Sequence, residues 1–313
     1  MQAKAFIHIG YTKAASTSLQ AMFAASPKVH FVDRVELMQR LVFRNSFLYE
    51  PGAAGEFIDE QRRIAAENGQ VLMVSHERLA GNPHSGHYDS KEIAFRLKGL
   101  LPDAVVLMVL REQMSMLASI YKQYIRIGGV RRLRDYLLPP ADHRVPLFEW
   151  QSYRYDVLLE YYYEVFGRSS VRVLLFEDLL ADPDAFFGQV AEVLGVDVPE
   201  SFDTIEPRYA GIPENRVERR RIINLFRRQR ASIRDEHPLQ RRWLEKLAAG
   251  ALCVLPFAAR RYSDKRPCVR EVRRIFRGRF AESNRKLAKL IDRDTAALGY
   301  ETDNPRSGER ESG

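Results

Sequence analysis

Short runs of consecutive apolar residues punctuate this chain, and between them lie longer stretches in which apolar positions recur every three or four residues. The runs are AFIHI (5–9), VHFV (29–32), VLMVS (71–75), AVVLMVL (104–110) and VRVLLF (171–176). Each is too short for a stable helix and rich in branched side chains, which predicts strands. The two longest contain almost no polar residue, as central strands buried on both faces require. Helical spacing covers the neighbourhoods of 16–25, 53–68, 89–100, 114–127, 152–166 and 182–194. Strands that alternate with helices in this way predict an α/β fold of three layers, a mostly parallel central sheet flanked by helices.

The strand pattern stops near residue 200. Residues 216–242 hold ten arginines against three acids, and a helix there is strongly basic, with Ile222, Ile223, Leu225 and Phe226 among its apolar positions. Next comes LAAGALCVLPFAA (247–259), closed by Arg260 and Arg261. That run is shorter than the roughly twenty residues a membrane-spanning helix needs. The expected organisation is an α/β core over 1–200, a basic helical extension over 201–300 completing the same domain, and a disordered tail over 301–313.

Composition narrows the function classes. With 313 residues and 45% apolar content the chain can bury one large core. A net charge of +8 favours acidic partners such as nucleotides, sulfated or phosphorylated sugars, nucleic acid or anionic membrane. The two cysteines, Cys253 and Cys268, lack metal-ligand spacing, so neither a metal site nor a disulfide framework is expected, and a reducing compartment fits. The five-residue apolar run at the N-terminus is too short for a secretory signal, so the expected location is cytoplasmic.

One stretch carries chemistry. In HIGYTKAASTSL (8–19) a strand ends at Gly10 and a helix begins near Ser16. Free backbone N–H groups and the positive end of the helix dipole suit an anion there. Lys13 adds a full charge, and Ser16, Thr17 and Ser18 add hydroxyls. Simple capping by Ser16 or Thr17 explains the hydroxyls but not the lysine. In the Walker pattern glycine directly precedes the lysine and a hydroxyl directly follows it, which is not the spacing here.

The stretch resembles the 5′-phosphosulfate loop of sulfotransferases that use 3′-phosphoadenosine 5′-phosphosulfate (PAPS), which reads Tyr-Pro-Lys-Ser-Gly-Thr-Thr. Thr12 and Ala15 replace that loop's proline and glycine; the carbohydrate branch tolerates Lys-x-Ala-Ser-Thr-Ser. The resemblance implies a P-loop-like fold, with Lys13, Ala14, Ala15, Ser16, Thr17 and Ser18 around the phosphosulfate. A second motif agrees: Arg111 ends a strand and Ser119 follows eight residues on, with Tyr121 and Tyr124 after it, similar to the family's 3′-phosphate arginine and serine. LLFEDLLADPDAFF resembles its Tyr-Glu-Asp-Leu segment, with Phe176 in place of the tyrosine, and RFAESNRKLAKLIDRDTAALGY is similar to the ending of many bacterial members. The late Arg-Lys-Gly loop of the cytosolic branch is absent. By position and charge, arginines at 208–221, notably Arg216, could close the site instead.

Sulfuryl transfer needs a cation on the leaving oxygen and a base for the acceptor proton; it requires no metal. Lys13 is the expected cation. For the base, His76 matches the Thr-His of cytosolic members, and Glu77 matches a Ser-x-Glu-x-Leu of bacterial relatives. His30 and Asp33 match a Golgi heparan-type segment in which Lys28 takes the place of glutamate, and Glu36 lies just beyond. The choice stays open at this point. The resemblance lies closer to the carbohydrate branch than to the small-molecule branch and implies a carbohydrate or glycolipid acceptor. Other readings are a P-loop-like small-molecule kinase and a membrane- or polyanion-binding protein using the 216–242 arginines; no nucleic-acid motif occurs. As an accessory, those arginines and the 247–259 run suit peripheral contact with the anionic inner face of a membrane.

Overall fold

The computed structural model describes residues 2–11, 13–140, 147–198, 212–225 and 266–303. Five strands, β1 (Ala5–Gly10), β2 (Val29–Phe31), β3 (Val71–His76), β4 (Val105–Leu110) and β5 (Val171–Leu175), form one sheet in the order β2-β3-β1-β4-β5. All four pairings are parallel. The expected α/β architecture is therefore the one adopted, and the five strands lie within a residue of where the apolar runs put them.

β1 is buried along its whole length because it has a neighbour on each side and helices over the sheet. Its single polar residue, His8, is accommodated by a 2.7 Å hydrogen bond between Nδ1 and the Ser75 hydroxyl on β3.

Helices α1 (Ser16–Ala25) and α2 (Pro51–Glu67) pack against β2 and β3. α3 (Ser90–Leu100) contacts α2, and α4 (Gln113–Arg126) follows β4. α5 (Tyr155–Phe166) covers β4 and β5. After β5 come α6 (Phe176–Ala181) and α7 (Pro183–Leu194); Asp182 caps α7 by accepting from the Ala185 N–H at 3.0 Å, with Pro183 in the first turn.

Of the basic C-terminal region, three helices are described: α8 (Glu214–Leu225), α9 (Pro267–Phe276) and α10 (Ala281–Ile291). α8 and α9 flank α4, and α10 lies on α5. Gln113 and Asn284 hydrogen-bond through their amides at 2.6 Å, tying α4 to α10 inside the core. The 247–259 run, Arg208, the arginines of 227–242 and the 304–313 tail lie outside the described residues.

The strand order decides where a ligand can sit. β1 leads on to β2 on one side of the sheet, while its neighbour β4 leads on to β5 on the other. Between strands whose connections depart in opposite directions, the loops at the carboxyl ends separate and leave a crevice. The two loops that flank it begin at Tyr11 and Arg111.

Candidate functional site

The loop after β1 is held in an unusual conformation. Lys13 and Ala15 both have positive φ, 72° and 61°, a region that costs a non-glycine residue about 1–2 kcal/mol. Ala14 N–H donates to the Tyr11 carbonyl at 3.0 Å, closing the turn, and the Tyr11 hydroxyl donates to the Ser152 carbonyl at 2.9 Å. Ala14 is buried and Lys13 half-buried, its ammonium within electrostatic reach of Arg126, Glu77, Lys122 and Arg111. Strained backbone of this kind persists where the surroundings over-determine it, as at ligand sites.

The residue at the cap of α1 is Ala15, which has no side chain able to accept from the first-turn amides, and no acid lies in that turn. Capping by Ser16 or Thr17 is thus not what the hydroxyls do. Thr17 is exposed and Ser18 half-buried, while the Ser16 hydroxyl is buried without a hydrogen-bond partner. A Cβ on Gly10 would stand 2.3 Å from that hydroxyl, so glycine is what lets Ser16 sit there. Open amides, an unpartnered hydroxyl and a nearby ammonium together form an anion cradle.

Arg111 closes the cradle from the β4 side. Its Nη1 donates to the Lys13 carbonyl at 2.9 Å and its Nε to the Ser115 hydroxyl at 3.0 Å. Its guanidinium lies 4.4 Å above the Phe176 ring, which explains an aromatic residue at the head of α6. The Tyr155 hydroxyl holds the Arg111 carbonyl at 2.8 Å. Glu177 braces the turn by accepting from Glu112 N–H and the Tyr300 hydroxyl, at 2.9 and 3.0 Å, and its burial raises its pKa. Ser119 lies half-buried one helical turn beyond Ser115, so both serines share the face of α4 that starts at Arg111. Ser115 was not singled out in the sequence; its i+4 spacing from Arg111 was the available signal.

The base candidates separate on geometry. His76 Nδ1 accepts the Arg78 N–H at 3.0 Å, so a neutral His76 carries its proton on Nε2 and has no free lone pair. Burial lowers its pKa. The strand does not continue past His76: Glu77 opens a 3-10 turn, Glu77–Ala80. The Glu77 Cα is 3.4 Å from where a Gly10 Cβ would be, which puts Glu77 beside the cradle. The remaining three candidates have other partners. His30 Nε2 is 2.8 Å from Gln61 Oε1, Asp33 caps the Arg34–Leu37 turn through two 2.9 Å bonds, and Glu36 pairs with Arg40 at 3.0 Å on the surface.

Several cations converge on this place. Burial lowers the Lys13 pKa, Arg126, Lys122 and Arg111 push it the same way, and Glu77 opposes them. Ser119, Lys122 and Arg126 follow at i, i+3 and i+7 on α4, one continuous face. Arg126 also lines a cavity of about 320 Å³ between α4 and α8, together with Arg216.

His84, absent from the sequence-based set, also belongs here. Its Nδ1 is 2.7 Å from the Tyr136 hydroxyl, and burial, with Arg78 and Lys13 adding to it, pushes its pKa down to about 4. The ring is therefore uncharged at neutral pH beside Lys13. No local pattern marks it, because Tyr136 lies 52 residues away.

Burial makes two more rings refuse protons: His8 is pushed down to about 3 and His87 to about 4. As pH falls from 6.5 to about 4, the unfolded chain binds protons on these three histidines that the folded chain does not. Stability is then lost at about 1.4 kcal/mol per pH unit for each ring. The urea midpoint is expected to be level above about pH 7 and to drop steeply by about pH 5; a level midpoint across that window contradicts the burial of these rings.

Among the described residues, no helix is long and apolar enough to cross a membrane, and no group of three or more His, Cys, Asp or Glu side chains is arranged to hold a metal ion.

The chain is similar to the crystal structure of a sulfotransferase from Alicyclobacillus acidocaldarius, with a TM-score of 0.53 and 19% identity over 95% of this chain and 99% of that one. It is also similar, at 15% identity and a TM-score of 0.41, to the sulfotransferase domain of the Synechococcus PCC 7002 olefin synthase, over 79% of this chain and 94% of that one. A third match is mouse sulfotransferase SULT7A1 complexed with PAP, at 11% identity and a TM-score of 0.41, over 95% and 88% of the two chains. The first likeness shows the fold: this sheet and its flanking helices are those of a protein described as a sulfotransferase. No family model matches the chain, and no curated protein matches it by sequence.

Proposed function

We propose that this protein transfers the sulfuryl group of PAPS to a hydroxyl on a carbohydrate or glycolipid acceptor. The observation that carries the reading is the 2.9 Å bond from Arg111 to the Lys13 carbonyl, which joins the two anion-binding motifs across the crevice between β1 and β4. A nucleotide with phosphates at both its 5′ and 3′ positions needs two such places, one on each loop.

The residues present fit that group. The open amides of α1 and the Ser16 hydroxyl would hold the 5′-phosphate, with Gly10 leaving room for Ser16. Arg111 and Ser119 would hold the 3′-phosphate, the arginine by its two-pronged guanidinium. When bound, PAPS supplies the sulfuryl group and a phosphate leaving group. Lys13 neutralises the charge that the leaving oxygen gains as the sulfur–oxygen bond breaks. Glu77 takes the proton of the acceptor hydroxyl as the new oxygen–sulfur bond forms.

Calorimetry with adenosine 3′,5′-bisphosphate and with ATP tests the assignment. The bisphosphate is expected to bind at least about tenfold tighter, a difference of about 1.4 kcal/mol for one well-placed phosphate, and without magnesium. Tighter binding of ATP, dependent on magnesium, would favour a kinase instead.

A further inference from the structure

We propose that the exposed loop 43–48, together with Phe95 beside it on α3, docks on a phospholipid bilayer and inserts its apolar side chains at the surface of the acyl region. This surface lies outside the sulfuryl-transfer reading and does not depend on it.

Among the described residues three phenylalanines are exposed, Phe43 at 67%, Phe47 at 97% and Phe95 at 76%, and Leu48 stands open at 64%. One buried side chain gathers them. Arg96 on α3 donates through Nη1 to the Leu41 and Arg44 carbonyls, at 2.5 and 3.1 Å, and its guanidinium lies 4.2 Å over the Tyr49 ring. Phe95 and Phe43 therefore adjoin the two residues of a single hydrogen bond, that of Arg96 with Arg44. Leu48 adjoins Tyr49, which lines a cavity of about 280 Å³ with Phe95. Three rings this open present on the order of 500 Å² of apolar surface, where monomers rarely expose more than a few hundred in one patch.

Size, shape and charge say what covers such a patch. A stable protein interface takes about 800 Å² from each partner, more than these side chains offer. Attachment to a bilayer has no such minimum, because it grows with whatever apolar area is buried. A ring at 97% exposure stands out from the surface instead of lining a groove, so it suits a fluid medium that closes round it. Backbone that enters lipid must also have its polar groups satisfied within the chain. Here the Phe47 N–H donates to Asn45 Oδ1 at 3.0 Å, and the Leu48 N–H donates to the Asn45 carbonyl at 2.9 Å. Between Glu36 and Glu50 the chain has two arginines and no acid. Glu36 pairs with Arg40 and Glu92 with Arg96, which leaves Arg44 exposed, without an acidic partner among the described residues and free for a lipid phosphate. The chain leading to this loop leaves β2 at the carboxyl edge of the parallel sheet, the edge at which the Lys13 loop leaves β1.

Co-sedimentation of the full chain with vesicles of phosphatidylcholine and phosphatidylglycerol tests the proposal. Partition into the vesicles should persist at about 0.5 M salt, where charges are screened within a few ångströms. Phe47→Ser and Phe43→Ser should each lower the partition coefficient about tenfold, the low end for burial of one phenylalanine ring. Arg44→Ser should lower it about fivefold, and at low salt only. Leu180→Ser, a change at an exposed leucine on α6, should leave it in place. Phe47 touches little else of the chain, so its variants should keep the parent's melting temperature. Phe47→Trp should shift its emission to the blue when vesicles are added. Equal partition of the parent and Phe47→Ser overturns the proposal, as does binding that about 0.5 M salt abolishes, which belongs to the arginines. A parent chain that stays in the supernatant overturns it too; if that chain runs as a dimer that Phe47→Ser dissociates, the patch belongs to a second copy. None of these readouts involves sulfuryl transfer, so failure of that reading leaves them standing.

Discussion

Replacing Lys13 with methionine is expected to lower the rate of sulfuryl transfer by about a thousandfold, in the range found when a group stabilising transition-state charge is removed. Negative charge grows on the leaving oxygen only as the bond to sulfur breaks, so the ammonium contributes mainly to the rate. Affinity for adenosine 3′,5′-bisphosphate should fall far less, because the open amides of α1, the Ser16 hydroxyl and Arg111 remain. Burial and the neighbouring cations make the charged lysine costly to the folded protein. The variant should therefore melt no lower than the parent, and a large loss of activity cannot be put down to unfolding. In the parent, a lowered pKa moves the alkaline fall of kcat/KM below the ordinary lysine value of 10.5. Single-turnover measurement with labelled PAPS reads the rate, and undiminished transfer by the methionine variant would sink the mechanism.

How much of this site was legible in the sequence depends on how local each cause is. The strands were readable because β1 and β4 sit in the middle of the sheet, where burial on both faces leaves few polar positions. The Lys13 loop and Arg111 were readable because each is a strand end followed by a helix. What the sequence hid is tertiary. Left-handed backbone at Lys13 and Ala15 has no signature when glycine is absent, since the strain is imposed by the packing of Tyr11 and Ala14. The replacement of a tyrosine by Phe176 was visible, but the reason for an aromatic ring, a guanidinium lying over it, needed the fold. His84 is buried against Tyr136, 52 residues away, and Arg126 lines one cavity with Arg216 only because α8 packs on α4. The turn over Arg34–Leu37, continued as a π-turn over Met38–Val42, was missed because a segment this short has no periodicity to read.

The same distinction between local and tertiary causes decides the base. Sequence position alone offered His76 and Glu77 on nearly equal terms, as neighbours at the end of one strand. The backbone turn after His76 separates them, because the Arg78 N–H occupies the lone pair that a base requires. Glu77→Gln is therefore expected to lower kcat by about a hundred- to ten-thousandfold, the usual contribution of a positioned base, at unchanged bisphosphate affinity. His76→Gln should lose less than about tenfold, a structural effect of about 1 kcal/mol on the turn. A second readout follows from the charge of Glu77, which favours the protonated form of Lys13. Removing that charge should shift the alkaline fall of kcat/KM to lower pH, whereas the His76 variant should leave it in place. If Glu77→Gln shifts the alkaline limb and leaves kcat intact below it, Glu77 only tunes Lys13, and the proton goes to another group, with uncharged His84 next in line. If the His76 variant shows the larger loss, the turn must open on substrate binding and the two residues exchange roles.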